Sequence, residues 1–172
     1  MAIENLIIRT CTENDVDDIY NIQNTVIGNF KDEEKNYFFP SEKEVYLNTI
    51  KNPEIEGEIY GAFIDDKMVG WICLSVAPDM MHLVEKIGNV EGLSADIDGV
   101  MVLSEYRGKG IQKSLIQHLE ENAARRNIKN IVAEVTHGNV YSLRNLLDLG
   151  YEIKTWYRKN ENTTRDILLK KI

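Results

Sequence analysis

Residues 107–113, Arg-Gly-Lys-Gly-Ile-Gln-Lys, place two glycines and three cations within seven positions. At the start of a helix, such a stretch presents unpaired backbone N–H groups and the positive end of the helix dipole, and both attract phosphate. Gly108 and Gly110 let the backbone approach a ligand where a Cβ would intrude. The chemistry predicted here is anion binding, phosphate first. A tight strand-to-helix connection with exposed basic residues fits the same spacing. The stretch is not a Walker loop, which needs Gly-x-x-x-x-Gly-Lys-Ser/Thr. Nor is it a dinucleotide fingerprint, because the third glycine is missing.

Three acids are candidates for proton chemistry. Asp96 and Asp98 enter an apolar run, and Glu134 lies inside another. Carboxylates in central strands are costly to bury without a purpose or a partner. One reading gives them a proton to take up or release. The alternatives are backbone donors at a solvated strand start for Asp96 and Asp98, and a Lys or Arg partner for Glu134. Cys11 and Cys73 are isolated, without metal-ligand spacing and without His-Asp company that would mark a nucleophile.

These residues need a strand, a turn and a helix to position them. Ile97 to Leu103 is a β-branched, apolar run of strand length. Alternation puts Asp96, Asp98, Val100 and Val102 on one face, and Ile97, Gly99, Met101 and Leu103 on the other. From Gly110 a helix runs to about Asn127, with Ile111, Leu115, Ile116, Leu119 and Ala123 as its buried stripe. Lys109 and Lys113 at the N-terminal end oppose the dipole, a mismatch that a bound polyanion relieves. Ile131 to Val135 is the next strand. Asn139 begins a helix that Gly150 ends, and Tyr151–Arg158 and Thr163–Leu169 are a final strand pair. Upstream, Leu6–Thr10 is an edge-like strand and Val16 to Ile27 an amphipathic helix opened by Thr12-x-x-Asp15. Ser41-x-x-Glu44 is a capping box for a second helix. Glu58–Ile64 and Met68–Ser75 form a hairpin around Asp65-Asp66-Lys67. The segment 77–94, with Met80, Met81 and His82, reads as a loop holding a short helix.

Val100-Met101-Val102, followed after four residues by Arg107-x-x-Gly110-x-Gln112, resembles the acetyl-CoA motif of the GNAT family of N-acetyltransferases. Gln112 departs from that family's usual Gly or Ala. The resemblance extends to Asn139 and to the pair Gly150-Tyr151. It implies a mixed α/β fold, with a central mixed, mostly antiparallel sheet flanked by about four helices. It implies acetyl-CoA as co-substrate, held along Val100, Met101 and Val102 and at Arg107, Gly108, Lys109, Gly110, Ile111, Gln112, Lys113 and Asn139. Glu134 is the implied general base, with Asp96 and then Asp98 as rivals. Tyr37, Phe38 and Phe39 fall in the region that lines the acceptor side in that family, and their alternative role is as core staples between two helices. Leu146 stands where the family often has a tyrosine that protonates the departing thiolate. An acceptor-side role for an amine, direct transfer, and a homodimer through the late strands complete what the resemblance implies.

The chain of 172 residues reads as one domain, 1–172. A net charge of −8 argues against general nucleic-acid binding and is compatible with a cationic small-molecule or peptide amine. The sequence has no apolar run of membrane-spanning length and no signal peptide ahead of the first strand. Two isolated thiols and no metal motif fit a reducing, cytoplasmic setting without a metal. Two other functions fit the turn: a CoA- or acyl-CoA-binding module without catalysis, and an unrelated nucleotide-phosphate binder.

Overall fold

The computed structural model describes residues 5–78 and 81–172. Its strands are β1 (Leu6–Thr10), β2 (Gly57–Ile64), β3 (Lys67–Ser75), β4 (Ser94–Val102), β5 (Asn130–Thr136), β6 (Glu152–Asn160) and β7 (Thr163–Lys171). They form one sheet in the order β1-β2-β3-β4-β5-β7-β6. Every neighbouring pair is antiparallel except β4–β5. The β2–β3 hairpin turns through Asp65 and Asp66, at φ +49° and +62°. Two consecutive left-handed residues suit a type I′ turn, whose twist matches the strands it joins. The β4–β5 pair is parallel because a helix, α4 (Ile111–Arg125), carries the chain back across the sheet.

Among the described residues five helices flank the sheet, in place of about four. The others are α1 (Val16–Gly28), α2 (Lys43–Lys51), α3 (Met81–Ile87) and α5 (Val140–Asp148). On one face, the stripe predicted for α4 is fully buried with Leu146 of α5 against Ile72, Leu74, Ile97, Ile131 and Ala133. On the other face, Val16, Ile19, Ile22 and Val26 of α1 and Tyr46 of α2 pack on Trp71, Cys73 and Met101. Leu83 of α3 closes a smaller cluster over Val132, Ile167 and Leu169. Met80, noted in the sequence, lies outside the described residues.

Two local readings change. The second helix begins at Lys43 with Glu42 as its N-cap, so Ser41 opens no capping box. Gln23 explains the shift: its side chain accepts from the Ser41 amide and donates to the Ser41 carbonyl, both at 2.9 Å, which holds that backbone outside the helix. The alternation along β4 also breaks. The strand starts at Ser94, and its register on β3 slips between Cys73↔Gly99 and Leu74↔Ile97, leaving Asp98 as the extra residue of a β-bulge. Ile97 therefore shares a core with Val100 and Val102, while Met101 packs on the other side with Trp71. The predicted grouping of Asp96 with Val100 and Val102 is thus corrected.

Candidate active site

The site is an opening in the sheet. The parallel strands β4 and β5 pair from Ser94↔Asn130 only as far as Ile97↔Ala133. Beyond that point the bulge turns β4 aside, and the strands part. Residues 99–102 form one wall and residues 133–136 the other of a cleft of about 720 Å³. Val100, Met101 and Val102 pair with β3 on one side, and β5 no longer covers their other edge. An open strand edge along a cleft can take an extended ligand as if it were another strand. Gly99 leaves room for the Phe38 ring, which a Cβ there would meet at 2.8 Å and push aside.

The helix start sits at one mouth of the cleft. Gly110 is the N-cap of α4 at φ +83°, and no side chain caps it. The Ser114 amide donates to the Gly110 carbonyl at 3.0 Å, so the amides ahead of it point out of the helix end toward the cleft. Around them the predicted residues divide. Gly108, Gly110, Ile111, Gln112 and Lys113 line the cleft. Arg107 lines it too, and its Nε donates to the Val102 carbonyl at 3.1 Å, tying the turn to the end of β4. The Lys109 ammonium stands over the Tyr106 ring. Lys113 pairs with Asp148 at 2.6 Å, so the charge mismatch at this helix end is smaller than the sequence alone implies. Gln112 bridges the two helices, donating to Ser142 Oγ at 3.2 Å and accepting from Asn145 at 2.8 Å. That contact gives the departure at Gln112 a structural purpose. Asn139 caps α5, accepting from the Ser142 amide, and borders the same cleft.

The three acids separate. Glu134 lines the cleft with its carboxylate 14% exposed. Its Oε2 accepts from the Tyr157 hydroxyl at 2.8 Å, and its Oε1 meets Lys159 at 3.2 Å and Arg165 Nε at 3.3 Å. The Arg165 contact is close enough for an ion pair but misaligned for a hydrogen bond. Asp96 is 3% exposed, and its Oδ1 has no hydrogen-bond partner among the described residues. It borders a small void beside Ser75, Ser94 and Val84 of α3 rather than the cleft. Burial raises its pKa well above the ordinary value, and Asp98 and Glu134 raise it further. Asp98, on the bulge, is exposed.

Tyr37 and Phe38 line the cleft from the segment between α1 and α2, with Phe38 edge-on to Trp71. Phe39 faces instead the cations of Lys159 and Arg165. Leu146 is buried in the cleft wall, and Tyr141 borders the cleft with 82% of its surface exposed. The sequence reading missed Tyr157, Lys159 and Arg165 around Glu134. Their strands were legible, but the pairing order that sets β7 between β5 and β6 was not.

The site is thus a mixed sheet split between two parallel strands, with a helix N-terminus at one mouth and a carboxylate in the wall. The sequence model of the Acetyltransferase (GNAT) family matches residues 16–151, and the chain belongs to that family. Solved structures share the fold at low identity. A ribosomal-protein-alanine N-acetyltransferase from Brucella melitensis superposes with a TM-score of 0.74 at 20% identity, covering 96% of this chain and 99% of that one. The ribosomal-protein-S18-alanine N-acetyltransferase of Escherichia coli gives 0.71 at 16%, covering 97% and 94%. A putative acetyltransferase, yncA of Salmonella typhimurium, solved with its cofactor acetyl-CoA, gives 0.74 at 15%, covering 98% and 94%. No curated protein matches the chain by sequence.

Proposed function

We propose that the chain is an acetyl-CoA-dependent N-acetyltransferase, folded as one domain over 1–172, that transfers an acetyl group directly to a primary amine of a small molecule or peptide. The observation that carries this is the continuity of the cleft, from the uncapped start of α4 past the open edge of β4 to Glu134. The α4 amides and Arg107 take the phosphates, and the edge at Val100–Val102 takes the extended arm. A backbone N–H of that edge steadies the thioester oxygen as it becomes an oxyanion.

The amine arrives as an ammonium. Glu134 removes its proton through Oε2, which holds one bond from Tyr157 and keeps acceptor capacity. The nitrogen lone pair attacks the thioester carbon, the C–N bond forms and the C–S bond breaks; the second proton, shed by the nitrogen as it becomes an amide, passes to the departing sulfur, giving the amide and free CoA thiol. Asp96, buried and turned toward α3, ranks behind Glu134, and exposed Asp98 ranks third. Tyr37 and Phe38 bound the acceptor side. Buried, unpaired Cys11 and Cys73 support a reducing, cytoplasmic setting.

The test is release of free CoA thiol from acetyl-CoA against a panel: a peptide with an N-terminal alanine, a polyamine, a free amino acid and a lysine side chain. Turnover with one class establishes the reaction. One observation favours a second reading, a CoA- or acyl-CoA-binding module: Leu146, without a transferable proton, fills the wall. Tight acetyl-CoA binding without turnover on any amine selects it.

A further inference from the structure

Arg165 stands on β7, far from the acceptor segment in sequence, and is 5% exposed. Its guanidinium reaches three groups. One terminal nitrogen donates to the Tyr37 carbonyl at 3.2 Å and the other to the Asn36 carbonyl at 3.0 Å. Its Nε lies 3.3 Å from Glu134 Oε1. The Phe39 ring lies 5.7 Å from the same guanidinium. The Asn36 carbonyl takes a second bond, from Thr136 Oγ1 at 3.0 Å, and the Tyr37 hydroxyl donates to the Gly138 carbonyl at 3.1 Å. A segment with little regular structure is thus fixed at its backbone to β5 and β7, and by the Tyr37 hydroxyl to the turn before α5. A planar fork spreads its N–H donors over three nitrogens, so two carbonyls are held from one edge while the charge faces a carboxylate; a lysine ammonium concentrates its donors on one nitrogen.

We propose that Arg165 is a positioning residue that joins the acceptor-side segment Asn36–Phe39 to the Glu134 carboxylate. The seat of the amine is thereby held at a fixed place relative to the group that takes its proton. The proposal rests on the acetyltransferase reading for its catalytic consequence, though not for the clamp itself. Lys159 and Tyr157 hold Glu134 from β6, so loss of Arg165 leaves the carboxylate partnered and frees mainly the segment.

The experiment compares wild type, Arg165→Gln and Arg165→Lys in three readouts. Hydrogen exchange is followed at the Tyr37 amide, which donates to the Glu34 carbonyl at 2.8 Å. Acetyl-CoA affinity is measured by calorimetry. Thiol release is measured with spermidine and with a peptide bearing an N-terminal alanine. In Arg165→Gln, exchange at Tyr37 rises about tenfold or more and acetyl-CoA affinity is unchanged. The KM for the faster amine probe rises about tenfold with a smaller change in kcat. Arg165→Lys, which keeps the charge but reaches fewer carbonyls, falls between, and it carries the same comparison if Arg165→Gln does not fold. Exchange at the wild-type rate overturns the proposal whatever the kinetics. Parallel loss of acetyl-CoA affinity overturns it as well, because that is general damage to the core. A wild type that binds no acetyl-CoA sinks the acetyltransferase reading, and the exchange comparison still decides the clamp.

Discussion

Ile97 and Ala133 are the last residues at which β4 and β5 pair. One position later Asp98 is extruded as a bulge, and from there the two strands form the walls of the cleft. A single inserted residue therefore does two jobs. It ends the ladder, and it frees the edge of Val100–Val102 for a ligand. Without the bulge, the open edge that the proposed acetyl-CoA site needs would be consumed by β5.

Glu134 is the wall carboxylate on which the proposed proton transfer depends. Glu134→Gln keeps the shape and can still accept from Tyr157, but it cannot take a proton. Turnover is expected to fall by about 10²- to 10⁴-fold while acetyl-CoA affinity stays level. Steady-state rates beside calorimetry check this. Asp98→Asn, at an exposed site, is expected to change the rate far less, and an equal loss in both variants would move the base away from Glu134.

Asp96 carries the opposite expectation, for stability. Its folded pKa is raised by burial, then by Asp98 and Glu134. A raised folded pKa means that its stability is fully present below the unfolded pKa and is lost as pH rises toward the folded one. Asp96→Asn removes that loss, so the variant's advantage over wild type grows as the pH is raised from the ordinary carboxylate range, about 4, toward neutrality and above. Urea midpoints across this range measure it, and a constant difference would refute it.

Asp15 supplies an acid-sensitive anchor. Two hydrogen bonds from Arg9, both 2.8 Å, and one from the Thr12 amide at 2.7 Å hold its carboxylate. The Arg9 bond first, against burial, lowers its pKa from 3.8 to about 2. A lowered folded pKa contributes stability above the unfolded value that is lost as pH falls through the folded one. Asp15→Asn is therefore expected to destabilise clearly at about pH 7 and much less at about pH 2. Thermal midpoints of the two proteins at both pH values are the check.

Legibility in the sequence followed the range of the interaction. The buried stripe of α4, the hairpin at Asp65-Asp66 and the Asn139 cap rest on neighbours in sequence, and each was readable from spacing. Pairs far apart in the chain were not. Gln23 claims Ser41 across 18 positions, which moved the start of α2. Lys113 finds Asp148 on another helix. Arg165 reaches Tyr37 across 128 positions. The bulge at Asp98 escaped for a different reason. Strict alternation is the simplest pattern for a strand, and an inserted residue shows itself only against the partner strand. The glycine turn ahead of α4 was legible because glycine pairs and cations are local signals. The anchoring of the 36–39 segment was not, because Arg165 holds it by backbone carbonyls, which every residue has.

In the proposed reaction the start of α4 binds the phosphates of acetyl-CoA. Gly110 has a left-handed backbone, and a Cβ there would meet no protein atom within 4 Å. Asn and Asp tolerate this conformation better than other side chains. Calorimetry of acetyl-CoA with wild type, Gly110→Asn and Gly110→Asp, each checked for folding by its thermal midpoint, separates shape from charge. Expected are binding by wild type, a modest loss in Gly110→Asn, and a further loss of about tenfold or more in Gly110→Asp, where a carboxylate faces the phosphates. Equal affinities for the Asn and Asp variants, or a folded wild type that does not bind, would contradict it.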